Sequence, residues 1–144
     1  MKFNAATLAG CAFLRCTFRR CVFFDVSFDT CKLVGSEFLE CELRPLRVNA
    51  GDWGFVNLRG QNLSGVSLSG VRLKEADLTD TNLTGCDLSG AELDGARLLR
   101  TILTRADLRG ASLDGVNLRE VNLTGARIDL AQACLLYTSD AADE

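Results

Sequence analysis

Two groups of residues in this sequence have types that could do chemistry: seven cysteines, and six carboxylates crowded into one short segment. Cys11, Cys16, Cys21, Cys31 and Cys41 recur at multiples of five, with Cys86 and Cys134 further along. Thiols in such a series could ligate zinc, pair as disulfides or supply a nucleophile. The chain has no histidine, which removes the commonest thiol-activating base, proton shuttle and metal ligand together. The carboxylates are Glu75, Asp77, Asp80, Asp87, Glu92 and Asp94, and no Lys or Arg interrupts them, so this segment alone carries a charge of −6. Arg97, Arg100, Arg105 and Arg109 follow it, and Arg15, Arg19 and Arg20 stand near the start. Carboxylates in such number either solubilise the surface or present an acidic face to a partner. The sequence holds no phosphate-cradling loop, no metal-ligand cluster and no pair of carboxylates poised for acid–base work. We expect no catalysis, no cofactor and no metal.

The elements that must position these residues follow from a period of five. From Phe3 every fifth residue is bulky and apolar: Phe at 13, 18, 23, 28 and 38, Trp53, then Leu without a break from Leu58 to Leu123, and finally Ile128. Two residues before each lies a small or β-branched residue, such as Ala76, Thr81, Cys86 and Ala91. Eleven of the thirteen glycines fall two residues after the bulky position, where a turn with positive φ wants them. A period of five keeps an apolar row on one face of neither a helix nor a strand, but a solenoid accommodates it. Six of the seven cysteines occupy the small row, so they read as buried apolar groups rather than ligands. Asn62-Leu63-Ser64, Asn82-Leu83-Thr84 and Asn122-Leu123-Thr124 match a glycosylation acceptor only because the repeat places Asn there. Pro45 interrupts the glycine row, and a kink, a bulge or a cis peptide is expected there, with Trp53 filling the widened interior.

Stretches such as Ala76-Asp77-Leu78-Thr79-Asp80 and Ala106-Asp107-Leu108-Arg109-Gly110 resemble the pentapeptide-repeat family over residues 1–130. That resemblance implies an all-β fold: a right-handed quadrilateral β-helix of about six and a half coils, four repeats to a coil. Within the family, Lys32-Leu33-Val34-Gly35-Ser36-Glu37-Phe38, Cys41-Glu42-Leu43-Arg44-Pro45-Leu46 and the exit Gly125-Ala126-Arg127-Ile128-Asp129-Leu130 resemble the MfpA/Qnr-type branch. This implies a non-enzymatic rod that mimics duplex DNA, binds DNA gyrase or topoisomerase IV and protects it from fluoroquinolones. The acidic coil of Glu75, Asp77, Asp80, Asp87, Glu92 and Asp94 would make the contact, its carboxylates standing in for phosphates. The alternative is a structural or scaffold rod that binds another protein.

Overall charge and hydropathy agree with a protein partner. Sixteen basic and nineteen acidic residues give a net charge of −3, too balanced for a nucleic-acid binder with a basic face. The longest uncharged stretch near the start, Phe3 to Leu14, is too short to span a bilayer and lacks a cleavage context, so a cytoplasmic chain without membrane contact is expected. The five-residue frame stops at Ile128, and residues 131–144 form a second segment that starts a helix. Cys134 to Glu144 resembles a translated sequencing adapter, so we expect this tail to be foreign to the fold. The intact gene product would then form a homodimer through its C-terminal helix, as the family resemblance implies, and the chain as given would be a monomer.

Overall fold

The computed structural model describes residues 1–135, so the expectation for the tail at 134–144 lies largely outside the described residues. The five-residue frame closes into a right-handed, four-sided β-helix. Pairing is parallel at a constant offset: Phe3 lies beside Phe23, Leu8 beside Phe28, Phe18 beside Phe38 and Val26 beside Leu46. Four repeats therefore complete one coil, and side chains stack in columns one coil apart.

The first coils have true, if short, strands. β1 (Lys2–Asn4) pairs with β4 (Val22–Phe24), β3 (Thr17–Arg19) with β6 (Glu37–Leu39), and β2 (Thr7–Ala9), β5 (Val26–Asp29) and β7 (Leu46–Asn49) form a three-stranded sheet. Beyond β7 each side shrinks to single bridges in four columns. Side 1 runs through Asn62, Asn82 and Ile102, side 2 through Ser67, Asp87 and Asp107, side 3 through Arg72, Glu92 and Ser112, and side 4 through Asn57, Asp77 and Arg97. Corners in this half close with a hydrogen bond from the next small residue to the bulky carbonyl, as in Val66 N–H to Leu63 O at 3.1 Å and Ala76 N–H to Leu73 O at 3.1 Å. The residue before the donor needs positive φ, which Gly60 supplies without strain and Phe55, Glu75, Asp80 and Arg100 supply as non-glycine residues.

Both inward rows make the core. Leu58, Leu73, Leu78, Leu83, Leu88 and Leu103 are fully buried. In the first half phenylalanines stack coil on coil, Phe3 on Phe23 with centroids 4.9 Å apart and Phe18 on Phe38 at 4.9 Å. The Arg44–Pro45 peptide is cis. Trp53, 1% exposed, lies flat on Phe38 with an interplanar angle of 7° and edge-on to Phe28, so it fills the interior at the change from Phe to Leu.

The Ser and Thr members of the small row, and Cys86 with them, are satisfied by one repeating bond. Thr81 and Thr101 hydroxyls donate to the carbonyls of Leu58 and Leu78 at 2.8 and 2.7 Å, and the Cys86 thiol donates to Leu63 O at 2.8 Å. In each case the acceptor is a bulky residue of the preceding coil, so a hydroxyl or thiol can replace Ala without leaving a buried donor unpaired.

The last coil is covered by a short helix, α1, at 130–135. Asp129 and Gln132 cap it reciprocally: Gln132 N–H donates to Asp129 Oδ1 at 2.9 Å, and Asp129 N–H donates to Gln132 Oε1 at 3.0 Å. The Gln132 amide then donates to the carbonyls of Ala111, at 2.9 Å, and Leu108, closing two backbone acceptors at the open end. Among the described residues no helix is long and apolar enough to cross a membrane.

Candidate functional site

Carboxylates that are neighbours in sequence are dealt out to three sides of the coil. Asp77 lies on side 4, Asp87 on side 2, and Glu92 and Asp94 on side 3, with Glu75 at the corner between sides 3 and 4 and Asp80 at the corner between sides 4 and 1. The run is thus a belt around the rod, and the structure brings only part of it together.

Local bonding separates the belt further. The residue before the bulky position folds its side chain back onto the N–H two residues on, a turn that Asn and Asp favour. Asp77 Oδ1 accepts from Thr79 N–H at 3.1 Å and Thr79 Oγ1 at 2.6 Å, and Asp87 Oδ1 accepts from Ser89 N–H and Oγ at 3.0 and 2.6 Å. The recurring Asn residues do the same, as in Asn82 Oδ1 with Thr84 N–H at 3.1 Å. Asp80 is held by both prongs of Arg100, and the guanidinium keeps its carboxyl below the ordinary range. Asp77 also faces Arg59 at 3.8 Å.

Side 3 keeps the carboxylates that remain. Glu75 and Glu92 are exposed and make no ion pair among the described residues, and Asp94 has only Lys74, at 3.9 Å. Glu75 lies over Gly95, where a Cβ would come within 2.3 Å of its Oε1. Gly95 therefore leaves the space that lets Glu75 approach Asp94's coil. One coil further, Asp114 stacks on Asp94 and its N–H donates to Asp94 Oδ1 at 3.2 Å. Asp114 falls outside the sequence run, and the signal that finds it is the one-coil offset from Asp94. Glu75, Glu92, Asp94 and Asp114 form one acidic group.

Burial works against Cys31, Cys41 and Cys86 as nucleophiles. Burial pushes the Cys86 thiol up to about 12 and raises Cys31 and Cys41 as well, so thiolate is scarce near neutral pH. Among the described residues no group of His, Cys, Asp and Glu could hold a metal ion.

Comparison with known proteins agrees with this architecture. The family model described as Pentapeptide repeats matches in eight copies over residues 55–90 and 101–135. The chain is 45% identical over 53 residues to the pentapeptide repeat protein MfpA of Mycobacterium tuberculosis (strain ATCC 25618 / H37Rv), a stretch covering 37% of this chain and 29% of MfpA. Among solved structures it is similar to alr5209, a pentapeptide repeat protein from Nostoc Pcc 7120, with 43% identity, a TM-score of 0.52, and coverage of 54% of this chain and 64% of that one. QnrB1, described as a plasmid-mediated fluoroquinolone resistance protein, aligns at 18% identity with a TM-score of 0.33 over 98% of this chain and 96% of its own. The chain thus spans less than two thirds of both MfpA and the Nostoc protein.

Proposed function

This chain belongs to the pentapeptide-repeat family, and from that premise we propose that it is a non-enzymatic, cytoplasmic binding rod that mimics duplex DNA on DNA gyrase or topoisomerase IV and protects the enzyme from fluoroquinolones. The contact is the acidic coil, with Glu75, Glu92 and Asp94 at its centre and Asp77, Asp80 and Asp87 around it. The similarity to MfpA is the reason to look for a topoisomerase.

The observation that carries the reading is the acidic group on side 3. Duplex DNA presents one charge per ~1.7 Å of axis, or about three over the ~4.8 Å between hydrogen-bonded strands. Glu75, Glu92, Asp94 and Asp114 place four carboxylates over three neighbouring coils, about half that density, and over those coils only Lys74 and Arg72 among the described residues answer them on the same side. A cationic groove built for phosphates would meet a face of the same sign at lower charge density.

A supercoiling assay with purified gyrase tests this. The chain should inhibit supercoiling, and reversing Glu75, Glu92, Asp94 and Asp114 to Lys should abolish inhibition while circular dichroism shows the rod still folded. Full inhibition by the reversed rod would refute the reading.

A scaffold rod binding a different protein is the second reading, and the charge banding favours it. Residues 55–74 carry a charge of +3 and 95–114 carry +2, so basic coils flank the acidic one. A folded rod that leaves supercoiling untouched fits this second reading.

A further inference from the structure

We propose that side 4 carries an oxyanion site, a cleft centred on Arg97 that takes the phosphoryl or carboxylate group of a small organic anion. The cleft has a volume of about 600 Å³ and is lined by Arg59, Arg97, Arg100, Arg119, Leu99 and Gly115 among others. That volume is in the range of small-molecule sites, and with Arg59 and Arg100 held by Asp77 and Asp80 the guanidinium that can receive an anion is that of Arg97.

The carboxylates of this side are engaged by groups other than Arg97. Asp77 stacks directly on Arg97 in the bridge column, yet its Oδ1 is taken by Thr79 and its Oδ2 faces Arg59. Asp80 is held at both oxygens by Arg100, with distances of 2.7 and 3.1 Å. Glu120 stands at the rim. Arg97 is exposed and makes no ion pair among the described residues, so its fork is open to an incoming anion. A guanidinium recognises phosphate and carboxylate alike through two parallel hydrogen bonds.

The floor beside it is apolar. Leu99 is 45% exposed and sits in the column between Arg59 and Arg119, which stand three coils apart, roughly 14 Å at strand spacing. Gly115 at the corner adds no side chain to close the mouth. The arrangement fits an anion with a small apolar body, the charged end on Arg97 and the body against Leu99. It is separate from the acidic group on side 3 and does not depend on the topoisomerase reading.

The test is titration of the full chain with inorganic phosphate and, separately, with succinate, followed by amide NMR at constant ionic strength so that screening cannot mimic binding. Saturable shifts confined to residues 96–99 and 117–119 are expected. Arg97→Gln should remove them, Arg97→Lys, which keeps the charge but loses the fork, should weaken them several-fold, and Arg47→Gln on side 2 should titrate like the unaltered chain. The tighter of the two probes identifies the anion as phosphoryl or carboxylate. Absence of saturable shifts with either probe, or unchanged titration in Arg97→Gln, would overturn the proposal.

Discussion

Arg100 grips Asp80 from one coil further along the rod, its Nε reaching Oδ1 at 2.7 Å and its Nη2 reaching Oδ2 at 3.1 Å. The coil makes this pair, because the two residues share a corner column although nineteen others separate them. Arg20 with Glu40, Arg72 with Asp52 and Lys74 with Asp94 repeat the arrangement. Exposed pairs of this kind, screened by water and salt, contribute little to stability. Their larger effect is on the surface field: pairing neutralises Asp80 and leaves Glu75, Glu92 and Arg97 unpaired among the described residues.

The inward assignment predicts opposite outcomes for one added charge at adjacent positions. Leu63 is fully buried, so Leu63→Asp should cost roughly 3–5 kcal/mol, since an unpaired carboxylate cannot be solvated there. Asn62 is exposed and caps Ser64 N–H through Oδ1 at 3.1 Å, a bond that Asp keeps, so Asn62→Asp should stay within ~0.5 kcal/mol. Equilibrium denaturation followed by circular dichroism measures both, and similar losses would reverse the reading of the rows.

The fold was legible because the five-residue period survives every change of residue type, from Phe13 through Trp53 to Leu123. The acidic group was only partly legible. A linear run places Asp77 and Asp87 beside Glu75 and Glu92, whereas their side depends on position within a coil, and that separates them. Asp114 and the Arg97 cleft escaped because both depend on the offset between coils and on which carboxylates their own turns have already engaged. The capping of two carbonyls by Gln132 is a tertiary contact that no local pattern records.

Gly51 occupies a slot of the small row at φ +103°, and a Cβ there would sit 2.4 Å from the carbonyl oxygen of Cys31. That neighbour is backbone and cannot swing aside. Gly51→Ala should therefore cost more than ~3 kcal/mol, beyond the ~1 kcal/mol of conformational strain alone. Gly60→Ala, at φ +70° with nothing within 4 Å of its would-be Cβ, isolates the strain and should cost only about that ~1 kcal/mol. Equal melting temperatures for the two variants would contradict the clash.

Gln132, 5% exposed, closes the last coil, and Gln132→Ala leaves the Ala111 carbonyl without its donor, while the Leu108 carbonyl keeps the N–H of Ala111 at 3.0 Å. A buried acceptor so orphaned costs ~1–3 kcal/mol. Hydrogen exchange should show the loss concentrated in residues 106–113, with the amides of the first coils protected as before. Uniform loss along the chain would mean that the end cap is not a local device.

Asp107 tests the electrostatics of the turn motif. Arg109, two residues on, donates Nε to Oδ1 at 2.9 Å and Nη2 to Oδ2 at 2.8 Å, and its backbone N–H adds a bond to Oδ1 at 3.1 Å. These donors favour the ionised form and bring the carboxyl down to about 2, well under the ordinary ~3.9. A carboxyl with a depressed folded value stabilises the fold above its unfolded value and loses that contribution as pH falls toward the folded one. The unaltered chain should therefore lose stability between pH ~4 and ~2 by an amount that Arg109→Gln does not, while near pH 7 the variant should already lack it. Carboxyl carbon NMR reads the cause directly: Arg109→Gln should move the Asp107 titration up toward ~3.9 while the turn N–H bond keeps it from arriving fully. A carboxyl still titrating near 2 in the variant would assign the whole depression to the backbone turn and leave the guanidinium without effect.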